Sequence, residues 1–117
     1  MSTGLAVRLL AEAQRSITAA TIAGSPGTYL GIGAAFANPI RILYILNGTD
    51  VQLQFSMDGI SDHFVVLANG FILLDVTTNQ THTAGCFISQ GQRMYVKTLG
   101  TPTTGSVFVS TFYGGNG

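Results

Sequence analysis

Ser56, Asp58, Asp62 and His63 crowd one short segment and supply the residue types of a nucleophile, an orienting acid and a base. Acyl transfer by such a set needs a rigid scaffold that holds the hydroxyl against the imidazole. The spacing here, with Gly59 inside it, places all four in an exposed turn, so the segment reads as a polar loop. Gly31-Ile32-Gly33 opens like a dinucleotide fingerprint, but Phe36 stands at the third glycine position and no helical pattern follows. Residues 24–27 lack the lysine and hydroxyl pair of a phosphate loop. His63 and His82 are the only histidines, and 58–62 lacks the alternating acids of a calcium loop, so no metal ligands are expected. Phe64, Phe71, Phe87 and Tyr95 are the residue type of a stacking platform for single-stranded nucleic acid. Such platforms sit in cationic grooves, and these rings are expected in the core instead. No catalytic residue and no cofactor is expected, and the chain does not read as an enzyme.

The elements around these residues carry the stronger signal. Only 9% of the 117 residues are charged and 46% are hydrophobic, whereas an ordinary domain has about 25% charged residues. Five cations, Arg8, Arg15, Arg41, Arg93 and Lys97, balance Glu12, Asp50, Asp58, Asp62 and Asp75 without any run of one sign. Nucleic-acid capture needs clustered cations to displace phosphate counterions and is not expected. No stretch is long enough to cross a membrane, and the N-terminal residues lack a secretory signal, because Arg8 and Glu12 interrupt the apolar run. A surface this poor in ions is expected to be dry in part through contact with other chains. The lone Cys86 has no intrachain disulfide partner. Asn47-Gly48-Thr49 and Asn79-Gln80-Thr81 fit the glycosylation acceptor pattern and read as turns.

The length fits one domain with a core of its own. Residues 1–27 read as an N-terminal arm, with Leu5, Leu9, Leu10, Ala13 and Ile17 on one side of a helical wheel and Arg8, Glu12 and Arg15 at ion-pairing spacing on the other. The segment 5–15 is either a short helix or an extended arm, and 24–27 breaks it. From 28 to 113 short strands alternate with turn signals, at 29–34, 40–47, 51–56, 64–67, 71–76, 86–89, 94–98 and 106–113. The expected fold is all-β, a jelly-roll-like antiparallel sandwich of about eight strands, with 114–117 as a flexible tail. Asn47-Gly48, Asp58-Gly59 and Asn69-Gly70 are expected to supply positive backbone angles to tight hairpins. Residues 51–55 alternate as a half-buried strand. Residues 41–46 are apolar on both faces, which suits either a central core strand or a strand with a partner outside the domain. In 106–112 both faces also carry bulk.

Pro39 to Leu43, Asn47-Gly48-Thr49-Asp50, Ser56-Met57-Asp58-Gly59, Asp62-His63-Phe64, residues 75–79 and Gly105 to Ser110 form the succession N-x-T-D, S-x-D-G, D, T-T-N, G-S-V. This pattern resembles small structural proteins encoded in tailed-bacteriophage genomes. The resemblance implies a virion protein assembled in the bacterial cytoplasm, of the small β-sandwich kind used as capsid decoration (cement) proteins. A head-to-tail connector or tail attachment is the alternative. It further implies the major capsid protein or other virion proteins as partners. The chain is expected to form a homo-oligomer, a dimer or trimer. Leu5, Leu9, Leu10, Ile17, Ile22, Phe108 and Phe112 are the expected interface residues, and removal of residues 1–23 is expected to leave a folded domain that no longer binds its shell.

Overall fold

The computed structural model describes residues 7–75 and 88–116. In chain order its elements are β1 (Val7–Ala11), β2 (Arg15–Thr18), α1 (Ala19–Ala23), β3 (Leu30–Gly31), β4 (Ile40–Asn47), β5 (Leu53–Ser56), β6 (Phe64–Val66), β7 (Phe71–Asp75), β8 (Tyr95–Thr98) and β9 (Ser106–Asn116). The strands make two antiparallel sheets. In the first, β9 lies between β4 and the end-to-end pair β1 and β2, and β7 closes the far side of β4; the second runs β3, β8, β5, β6. With β1 and β2 counted as one interrupted strand, this is the jelly-roll arrangement of two four-stranded layers.

The apolar residues explain the layering. Leu43 and Ile45 of β4, Val107 and Val109 of β9, Leu53 and Phe55 of β5 and Val96 of β8 are all inaccessible and meet between the sheets. Ile32, Phe36, Ile22 and Met94 fill the ends of that core. A one-residue irregularity at Arg41 lets Ile40 and Leu43 both face inward although they are three apart. The expectation of a half-buried strand fails for β5, where Gln54 is buried as well. It lies between Val65 and Lys97 in the register and donates to the Phe64 carbonyl.

The described part of the segment 5–15, residues 7–15, is not helical. Ala11 pairs with Phe112 and Arg15 with Val109, so the N-terminal strand spends one more residue than β9 between these points, and a bulge separates β1 from β2. The bulge breaks the two-residue alternation and leaves core-side Leu10 and Ile17 seven apart, a spacing that also suits a helix. Pairing to β9 outweighs that weak local preference. Residues 7–23 therefore belong to the sandwich itself. Ile22 of α1 is 1% exposed, and α1 is capped by Thr18, whose hydroxyl accepts from the Thr21 amide.

Of the three expected hairpins, one is a hairpin. Residues 57–63 join the paired strands β5 and β6, and Gly59 there has φ 77°. Asn47-Gly48 and Asn69-Gly70 lie on crossings between sheets, and Gly48 lacks a positive φ, although Asn69 has φ 59°. Asn47 shows why the chain crosses there. Its buried amide donates to the carbonyls of Val51 (2.9 Å) and Val66 (3.0 Å), and its Oδ1 accepts from the amide and hydroxyl of Thr49. One side chain thus joins the chain leaving β4 to the segments flanking β5 and β6, a buried polar group kept because every partner is supplied. It is not open to a glycan. The acceptor pattern at 79–81 lies outside the described residues, as do Cys86 and residue 87 of the strand expected at 86–89, of which Ile88 makes only an isolated bridge to Ile40.

Candidate interaction surface

Along β4, Ile42, Tyr44 and Leu46 alternate with the core residues and point out of the sandwich. The register places Leu46 between Phe71 and Phe108, Tyr44 between Leu73 and Ser110, and Ile42 between Asp75 and Phe112. Ala11 stands beside Phe112, and Leu9 beside Gly114. The outer face of the first sheet is therefore a continuous apolar surface. Phe71 is 62%, Leu73 56% and Leu9 54% exposed, while Ile42, Tyr44, Leu46, Phe108 and Phe112 are half-buried by one another. The Tyr44 and Phe71 rings lie 5.6 Å apart. Single exposed apolar residues are ordinary, but a contiguous patch of this kind marks a contact surface.

Of the residues expected at an interface, Phe108, Phe112 and Leu9 lie on this face. Ile17 and Ile22 do not: Ile17 packs against the core and Ile22 is part of it, because β2 and α1 close one end of the sandwich. Leu10 shares the core side with Tyr113. Leu5 lies outside the described residues. Phe71, expected in the core, is the most exposed ring of the surface. The signal that would have found Phe71 and Leu73 is the one that marked 41–46, an apolar run on both faces of a strand.

The candidate catalytic cluster is a self-satisfied turn. Ser56 donates to Asp58 Oδ1 (2.8 Å) and its oxygen accepts the amides of Asp58 and Gly59, while the same Oδ1 accepts the amides of Ile60 and Ser61 (both 2.8 Å). His63 accepts the Met57 amide at Nδ1 (2.9 Å), so it does not bear on Ser56. The amides of Ile60 and Ser61, then the Ser56 hydroxyl, hold the Asp58 carboxyl down to about 2. Asp62 accepts from Tyr29 and Lys97, and the Tyr29 hydroxyl's bond is the first cause of its lowered pKa. Burial, then the Asp62 carboxylate, pushes the Tyr29 phenol up. The turn holds Ile60, 84% exposed, at its tip.

Cations too are spent internally. Arg15 donates to Glu12 (2.8 Å), to the carbonyls of Ala34 and Ala35 and to Thr111, and stacks on Phe36 at 5.1 Å. Glu12 also accepts from Asn38 (2.8 Å) and the Ala37 amide. Burial raises the Glu12 carboxyl, but the hydrogen bonds and charge of Arg15, with Asn38 and Thr111, outweigh it and leave the pKa below its ordinary value. This network fastens the N-terminal strand to the loop after β3. It also explains the glycine pair that resembled a nucleotide fingerprint. A Cβ on Gly31 would fall 2.2 Å from the Arg93 guanidinium, and one on Gly33, at φ 65°, would fall 2.7 Å from the Arg15 side chain. The shallow groove between 12–16 and 33–37 is lined by this consumed pair and by alanines. Among the described residues no three of His, Cys, Asp and Glu converge to hold a metal ion, and no helix is long and apolar enough to cross a membrane. His82 and Phe87 lie outside the described residues.

No family model, curated protein or solved structure matches the chain.

Proposed function

We propose that the chain is a structural virion protein of a tailed bacteriophage, a capsid decoration protein that stabilises the head by bridging capsid subunits. The observation that carries this reading is the outer face of the first sheet, apolar and free of charge through its middle rows, a surface suited to permanent contact and poorly suited to water. The resemblance of residues 39–113 to phage structural proteins supplies the setting. Apolar contacts need no ionic attraction, so decoration of this kind holds at high salt. The loop joining β5 and β6 of the second sheet offers Ile60 on its fixed turn, an apolar tip whose ordering cost is met before binding. Many such small contacts, repeated over a shell, add up to resistance against internal pressure. β1 and β2 lie on β9 of their own chain, so contact with neighbouring subunits falls to the sheet face. Quantitative gel electrophoresis of purified particles tests the proposal. Many copies per head are expected. One ring of copies at a single vertex would favour a connector, and absence from the particle would refute both.

A further inference from the structure

We infer that the outer face of the first sheet is covered by the same face of a second copy of this chain, in a two-fold dimer; this rests on the reading above and names the partner of its main surface. The face is complementary to itself. Phe71 and Leu73 on β7 and Leu46 and Tyr44 on β4 are bulky, β9 sets Ser110 as a dip between Phe108 and Phe112, and the β2 edge is small, where Ser16 pairs with Phe108 and Gln14 bonds Ser110. A two-fold axis parallel to the strands, midway between β4 and β9, lays the thick edge of one copy over the thin edge of the other. Tyr44 then faces the dip at the partner's Ser110, and Phe71 faces the partner's Ser16. Sheets packed face to face in this way lie about 10 Å apart.

The electrostatics favour the same occupant. The charged residues of the β4 and β7 rows, Asp75 opposite Ile42 and Arg41 at the irregularity beside it, lie together at one end of this face. A partner recognised by charge has nothing to hold in the middle of the face, whereas a second neutral sheet gives up no ion hydration. At strand and row spacings of about 4.8 and 6.6 Å the footprint is about 450 Å² per copy. With side-chain relief the pair hides about 1,000 Å², the lower limit of a specific interface. The contact is isologous and therefore closed, so it yields a dimer and no fibre. It leaves two Ile60 turns free, one per copy, so each dimer can grip two capsid subunits.

Sedimentation velocity of the full chain tests this from about 1 to about 300 µM, in low and high salt. A concentration-dependent dimer that salt does not weaken is expected. Leu73→Lys and Phe71→Lys each alter an exposed side chain and should weaken dimerisation at least tenfold, with unchanged circular dichroism. Leu67→Lys, exposed at 64% but off this face, should leave it intact. If one face variant fails to fold, the other decides. A monomer throughout the range, or a dimer indifferent to both face variants, overturns the inference. Monomers found in many copies on particles would sink the dimer and spare the decoration reading; dimers missing from particles would do the reverse.

Discussion

Asp58 is the residue on which the 57–63 turn depends, since one carboxylate oxygen holds two amides and the Ser56 hydroxyl. Its pKa falls from 3.8 to about 2 on folding. The ionised form is thus favoured in the folded state, and its stabilisation is complete above the unfolded value and lost as pH falls from about 4 to about 2. Asp58→Asn should flatten the acid limb of a pH-stability curve measured by thermal melting, while changing little else about the fold. A limb as steep as that of the parent would show that other carboxylates control it. Glu12 acts in the same direction, its pKa also being lowered, but its pair with Arg15 is enclosed, with side chains 7% and 9% exposed. Glu12→Gln leaves Arg15 without its counter-charge and should cost about 3 kcal/mol, a fall of roughly 10 °C in the melting midpoint. Calorimetry would check this, and a shift within experimental scatter would mean that Arg15 finds water instead. Ser56, Asp58, Asp62 and His63 were recognisable as a polar turn from their spacing. Their exact bonding was not, because nothing in the residue order says which oxygen meets which amide.

At the scale of elements, the N-terminal segment is part of the sandwich. β2 contributes Ile17 to the edge of the core, and α1 contributes Ile22 to its interior. Deleting residues 1–23 should therefore unfold the domain, contrary to the behaviour of a detachable arm; loss of cooperative melting would show it, and a native-like melt would contradict it. The strands of the sandwich were legible from alternation and turn residues, and β4 matched the expected 40–47. Two features were hidden. The bulge at 12–14 offsets the alternation and mimics a helical period, and only the register against β9 reveals it. The crossings at Asn47 and Asn69 use the same residues as hairpins, so local chemistry signals a reversal without saying which sheet receives the next strand. Gly105 has the same origin. With φ 88° it passes so close to Gly48 that a Cβ would sit 1.9 Å from that carbonyl oxygen, a contact between residues far apart in sequence.

At the scale of the molecule, scarcity of charge and the apolar outer face belong together. Arg15, Arg93 and Lys97 all lie against aromatic rings, at 5.1, 5.8 and 4.7 Å, and the first and last also meet carboxylates. Few ions are left to wet the exterior, and the sheet face with Phe71, Leu73 and Tyr44 is where the deficit concentrates. That 41–46 was apolar on both faces gave the sequence its one hint of this surface; the matching hint at 71–74 was absorbed into an expected core, because a strand does not disclose which side has a second layer. The most direct measurement is hydroxyl-radical footprinting of Phe71, Leu73, Tyr44, Phe108 and Phe112, comparing the dilute free chain with the chain on assembled particles. Oxidation at these residues should drop several-fold on the particle while Leu67, exposed but off this face, stays reactive. Equal labelling of the face in both states would contradict the claim that this surface exists to be covered.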